Sequence, residues 1–90
     1  MIKKTDTLVF RLSRRGLDGE LISQAFTSFA TASGAAEALK GSHNPMLLNV
    51  YATSPSNQFS FSSTTHIYKN GVRRIVNKHL IETLLELGMI

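Results

Sequence analysis

The dipeptide Asn70-Gly71 constrains this 90-residue chain more than any other feature. Both residues tolerate the positive φ that a two-residue type I′ turn demands, so the pair marks a β-hairpin. It follows a run, residues 58–69, that reads as a strand, and it precedes a returning strand over residues 72–76. Upstream, residues 46–53 read as another strand. It is set off by the turns Ser42-His43-Asn44-Pro45 and Ser54-Pro55-Ser56-Asn57, where proline fixes φ and disfavours helix before it. Consecutive strands of this kind favour an antiparallel meander.

The flanks supply the remaining elements. A first strand is expected over residues 7–12, with Leu8, Phe10 and Leu12 on one face and Thr7, Val9 and Arg11 on the other. The segment Ser13-Arg14-Arg15-Gly16 is expected to break it. Residues 18–32 carry Leu21, Ile22, Ala25, Phe26, Phe29 and Ala30 at helical spacing, which predicts a helix with Asp18 as N-cap and Glu20 in its first turn. Residues 35–40 extend this as a second short helix capped by Ser33, or as a continuation across Ser33-Gly34. Asn77 is expected to cap a final helix with Leu80, Ile81, Leu84 and Leu85 on one face and Gly88 as its stop. The predicted order is β-α-(α)-β-β-β-α: one α+β domain spanning residues 1–90, a two-layer arrangement with helices on one face of an antiparallel meander sheet.

Alternation in the third strand puts Phe59 and Phe61 on the buried face and Ser60, Ser62 and Thr64 on the other. A two-residue turn at Asn70-Gly71 then places Lys69 and Arg74 on the Phe61 face. Either the helices leave that end open, or a bulge near Ser62-Ser63 switches the faces.

The composition narrows the function. With no cysteine there is no disulfide framework, thiolate metal site or cysteine nucleophile. This leans towards the cytoplasm, and no apolar run is long enough for a membrane span. The charged start from Met1 to Asp6 is followed by too short an apolar run, Leu8-Val9-Phe10, for a signal peptide. His43, His66 and His79 lack ligand spacing, so no metal site is expected. Glu82 and Glu86 share a helical face opposite the leucines, a solvated arrangement. Neither a nucleophile elbow, a P-loop nor a dinucleotide fingerprint occurs. The expectation is a protein that is not an enzyme and takes no cofactor.

Charge points to binding. The net charge is +4, concentrated in Lys3, Lys4, Arg11, Arg14 and Arg15 near the start and in Lys69, Arg73, Arg74 and Lys78 near the end. Such clusters attract phosphates or acidic proteins. The hairpin from Tyr68 to Arg74, with Lys78 opening the next helix, is expected to be a compact basic loop beside a helix N-terminus, a ready anion site. The solvent face of the sheet is expected to carry Asn49, Tyr51, Ser60, Ser62, Thr64, His66, Tyr68 and Arg73. The candidate binding residues are therefore Arg14, Arg15, Tyr68, Lys69, Arg73, Arg74 and Lys78, with sheet-face contacts from Tyr51 and His66. They suit a small regulatory protein of inhibitor or adaptor type that docks on a protein partner, an acidic one included, since Tyr and Arg anchor interfaces. The alternative is a nucleic-acid-binding module that contacts phosphates through residues 69–78 and Arg14/Arg15. A second alternative is a homo-oligomeric assembly subunit pairing through an exposed edge strand.

Overall fold

The structure, a computed structural model, describes residues 2–41 and 44–90; Ser42 and His43 of the expected turn, and Met1, lie outside the described residues. Five strands and two helices follow one another as β1 (Thr7–Arg15), β2 (Leu21–Phe26), α1 (Phe29–Leu39), β3 (Met46–Thr53), β4 (Ser60–Lys69), β5 (Val72–Ile75) and α2 (Lys78–Glu86). The strands form one antiparallel sheet in the order β2-β1-β3-β4-β5, and both helices pack on one face of it. The two-layer α+β architecture is the expected one.

The segment expected to begin the first helix is a strand. β1 does not break at Ser13 but runs through Arg15, and Gly16–Glu20 turns the chain back into β2. Gly19 takes φ +80, and the Gly16 and Gly19 amides donate to Glu20 O and Gly16 O. That is a three-residue loop closed by a glycine bulge, a standard hairpin connection. Asp18 therefore sits in a turn rather than capping a helix. Pairing of Phe10 with Phe26, Leu12 with Gln24 and Arg14 with Ile22 overrides the local helical spacing. Helix begins only at Phe29, where the Ser28 hydroxyl accepts from the Thr31 amide. It then runs through Ser33-Gly34 without interruption. Ala32 and Ala36, one turn apart, are its fully buried residues, and their small side chains let α1 lie close on the sheet.

Under the helices lie Phe10 and Leu12 of β1 and Met46, Leu48, Val50 and Ala52 of β3, with Leu80 and Leu84 of α2 closing the other end. The Phe10 and Phe29 rings meet edge to face, 5.7 Å between centroids. α2 has the predicted cap and stop: Asn77 Oδ1 accepts from the Leu80 amide, and Gly88, at φ +71, lets the Met89 amide reach Leu84 O at 2.9 Å. Leu85, expected on the buried face, is exposed.

β4 holds the decisive irregularity. Leu48 pairs with His66 but Asn49 pairs with Thr64, so Thr65 is an extra residue, a β-bulge. Before it, Phe61 and Ser63 share the helix-bearing side with Ala52 and Val50; after it, His66 and Tyr68 do. The parity of the strand has switched, two residues later than the expected position at Ser62-Ser63. Side-chain bonds hold the bulge. Thr65 Oγ1 donates to Leu48 O at 3.1 Å, Thr64 Oγ1 donates to Asn49 Oδ1, and Asn77 Nδ2 donates to Ser63 Oγ at 3.0 Å. The residue that caps α2 thus also ties it to the bulge.

Two expectations fall with this geometry. Phe59 precedes the strand and is half-buried, and Phe61 is 37% exposed, so neither is a core residue. Conversely, His66 and Tyr68 are at 3% and 1% exposure, not on the solvent face.

Candidate binding surface

The face of the sheet opposite the helices is uncovered, and strand register fixes its contents. Arg74, Ile67, Leu47, Ser13 and Ser23 form one row across all five strands. Thr64, Asn49, Arg11 and Ala25 form the next row towards the middle. At the opposite side of the first row, Lys69 pairs with Val72 and Arg15 with Leu21. The four cations Arg11, Arg15, Lys69 and Arg74 therefore share one end of one face. All six carboxylates of the chain lie off the strands, so none interrupts this surface.

Between the cations the face is apolar or hydroxyl-bearing. Leu21, Leu47, Tyr51 and Val72 are exposed. The Arg11 guanidinium lies 5.8 Å from the centroid of the Tyr51 ring and donates to Ser23 Oγ at 3.1 Å. Stacking and hydrogen bonding hold this arginine flat along the sheet. Arg15 donates to Gly19 O at 3.2 Å, which steadies it beside the hairpin turn. Here Ser13, Arg14, Arg15, Leu21, Pro45 and Leu47 line a shallow concavity of about 290 Å³.

The predicted site residues divide. Arg15, Lys69, Arg74 and Tyr51 stand on this open face; Arg14, Tyr68, His66 and Arg73 alternate onto the other side. Arg73 reaches Glu37 of α1 at 4.0 Å, and Lys78 reaches Glu82 one turn along α2 at the same distance. The α2 N-terminus, expected to receive an anion, has an amide already satisfied by Asn77. Nor is the Asn70-Gly71 turn a detached loop, because the Gly71 amide donates to Lys40 O at the end of α1. Asn70 and Gly71 have the positive φ values predicted for them, 53° and 79°. The basic hairpin thus exists as a hairpin, but its cations are shared between two faces.

Beneath α1 lies a buried polar group of side chains. A hydroxyl has one proton, and that of Thr65 goes to the Leu48 carbonyl, so Thr65 Oγ1 must accept from His66 Nδ1, 3.0 Å away. The His66 ring stacks on Tyr68, at 6.1 Å, and leans on Phe29, at 5.7 Å. Burial, aided by the Arg73 charge, holds the His66 pKa below its ordinary value, which favours neutral imidazole. Burial likewise raises the Tyr68 pKa. Its hydroxyl makes no hydrogen bond of good geometry, although Ser33 is a polar neighbour. No group of three metal-ligating side chains occurs among the described residues, and no described helix is long and apolar enough to cross a membrane.

Arg11, Leu21, Ser23 and Leu47 did not figure among the sequence candidates. Arg11 had a legible signal, since alternation already set it opposite Phe10 and Leu12. Leu21 and Ser23 were hidden by the helical reading of their segment. Compared with protein-family models, with curated proteins and with solved structures, the chain matches none.

Proposed function

We propose that the open face of the sheet is a docking surface for an acidic protein partner, and that the protein acts by binding there rather than by catalysis. One observation carries this reading: the exposed face combines Arg11, Arg15, Lys69 and Arg74 with Leu21, Leu47, Tyr51 and Val72, and no carboxylate lies on any strand. Cations steer an acidic partner into register, and exposed apolar groups between them release water on contact. A phosphate backbone would use the cations and leave the leucines idle. The division of Arg73 and Arg74 between two faces also weakens the compact phosphate site of the nucleic-acid reading.

That second reading retains one specific support, the Arg11–Tyr51 stack beside Ser62 and Asn49, which offers a platform for a base. Amide chemical-shift mapping separates the two. A peptide alternating Glu and Leu should shift the amides of Arg11, Leu47, Ile67 and Arg74, and Arg15→Glu/Arg74→Glu should abolish the response. Shifts scattered over α1 and α2 would refute the protein-docking reading. Tighter, steeply salt-dependent binding of single-stranded RNA on the same amides would replace it with the second.

A further inference from the structure

The two edges of the sheet differ. β5 is four residues long and carries Arg73 and Arg74, the short, charged design that discourages another strand from adding on. β2, Leu21-Ile22-Ser23-Gln24-Ala25-Phe26, is six residues with no charge, no proline and a regular register to β1. No described strand lies on its outer side.

The hydrogen-bond phase of that edge can be derived. The Gly16 amide donates to Glu20 O, so these residues form a hydrogen-bonded pair. Antiparallel ladders alternate such pairs with non-bonded ones. Arg15/Leu21 is then non-bonded, Arg14/Ile22 bonded, Ser13/Ser23 non-bonded and Leu12/Gln24 bonded. Leu21, Ser23 and Ala25 must therefore aim their amides and carbonyls away from β1, at the open edge.

We infer that β2 pairs antiparallel with β2 of a second copy of this chain, about a two-fold axis through Ser23. A two-fold axis normal to the sheet needs a residue facing its own counterpart, and Ser23 is the central residue with outward groups. Leu21 then faces Ala25 of the second copy, and Ile22 faces Gln24. No charge faces a like charge, whereas the same pairing through β5, centred on Arg73 or on Arg74, would set that arginine against its own copy. The result is a continuous ten-stranded sheet, with all four helices on one side and two copies of the open face on the other. The pairing rests on register and edge chemistry alone, so it stands or falls separately from the docking reading.

The test begins with the unaltered protein. Its mass by sedimentation equilibrium should rise from 9.9 kDa towards twice that value across a concentration series. Over the same series the amides of Leu21, Ser23 and Ala25 should gain protection from hydrogen exchange, while those of Ile22 and Gln24 are protected throughout. A mass that stays monomeric, or a doubled mass with those three amides still exchanging freely, overturns the inference. Two variants at exposed positions then fix the register. Leu21→Lys/Ala25→Lys sets like charges opposite each other and should abolish the doubling; Leu21→Lys/Ala25→Glu sets opposite charges across the axis and should restore it. Equal association by both variants would place the contact elsewhere.

Discussion

Replacing Thr65 by valine should destabilise the protein far more than the loss of one hydroxyl on a surface strand. The side chain is fully buried, and its hydroxyl serves two partners at once, Leu48 O at 3.1 Å and His66 Nδ1 at 3.0 Å. Valine keeps the shape and removes both bonds. Each bond contributes about 0.5–1.5 kcal/mol net, and an imidazole N–H left buried without an acceptor costs about 1–3 kcal/mol. Together these give roughly 2–6 kcal/mol, a large part of the ~5–15 kcal/mol that holds a small domain folded. With a urea dependence of ~2 kcal/mol per molar, the unfolding midpoint should fall by about 1–3 M. Thr65→Ser retains the hydroxyl and loses only a methyl group, so it should cost less than about 1.5 kcal/mol. Urea unfolding followed by far-UV circular dichroism measures both. If Thr65→Val costs under about 0.5 kcal/mol, or no more than Thr65→Ser, the hydroxyl does not hold the bulge. The bulge matters to the site because a one-residue change of parity would turn His66 and Tyr68 outward and carry Lys69 and Arg74 off the open face.

Three further outcomes follow from the same structure. The His66 pKa is held below its ordinary 6.5, so below that pH the unfolded chain binds the proton first. Stability should be intact above pH 6.5 and decline as pH falls towards the lower folded value, and His66→Phe should remove that part of the slope; parallel profiles would refute the burial argument. Asn77→Ala removes both the cap bond to Leu80 and the bond to Ser63, and should cost about 1–2 kcal/mol in urea unfolding; a negligible loss would mean that α2 needs neither. Gly34 sits mid-helix at ordinary φ with open space where a Cβ would go, so Gly34→Ala should stabilise by about 0.5–1 kcal/mol, and a lower melting temperature would contradict this.

The sequence made much of this fold legible, and the failures have identifiable causes. β3, the Asn70-Gly71 turn, the Asn77 cap and the Gly88 stop depend on local chemistry, which neighbours in the chain report directly. β2 was illegible because Leu21, Ile22, Ala25 and Phe26 fit a helical stripe as well as a strand, and only partners on β1 decide between them. Asp18-Gly19 was the available hairpin signal. The misplacement of His66 and Tyr68 came from the bulge at Thr65, whose position depends on carbonyl and amide groups of β3 brought close only by folding. For the same reason alternation could divide Arg73 and Arg74 of the basic hairpin between two faces, while which of those faces the helices cover could not be read.

The docking claim is tested most directly by site-specific photo-crosslinking from the two sides of the molecule. A photoreactive residue at Leu47, on the open face, is compared with one at Ala38, on the exposed side of α1, in an extract of the source cells. Leu47 should capture a discrete acidic protein, Ala38 should not, and Arg15→Glu/Arg74→Glu should abolish the capture. Equal capture from both positions, or capture of nucleic acid from Leu47, would contradict it.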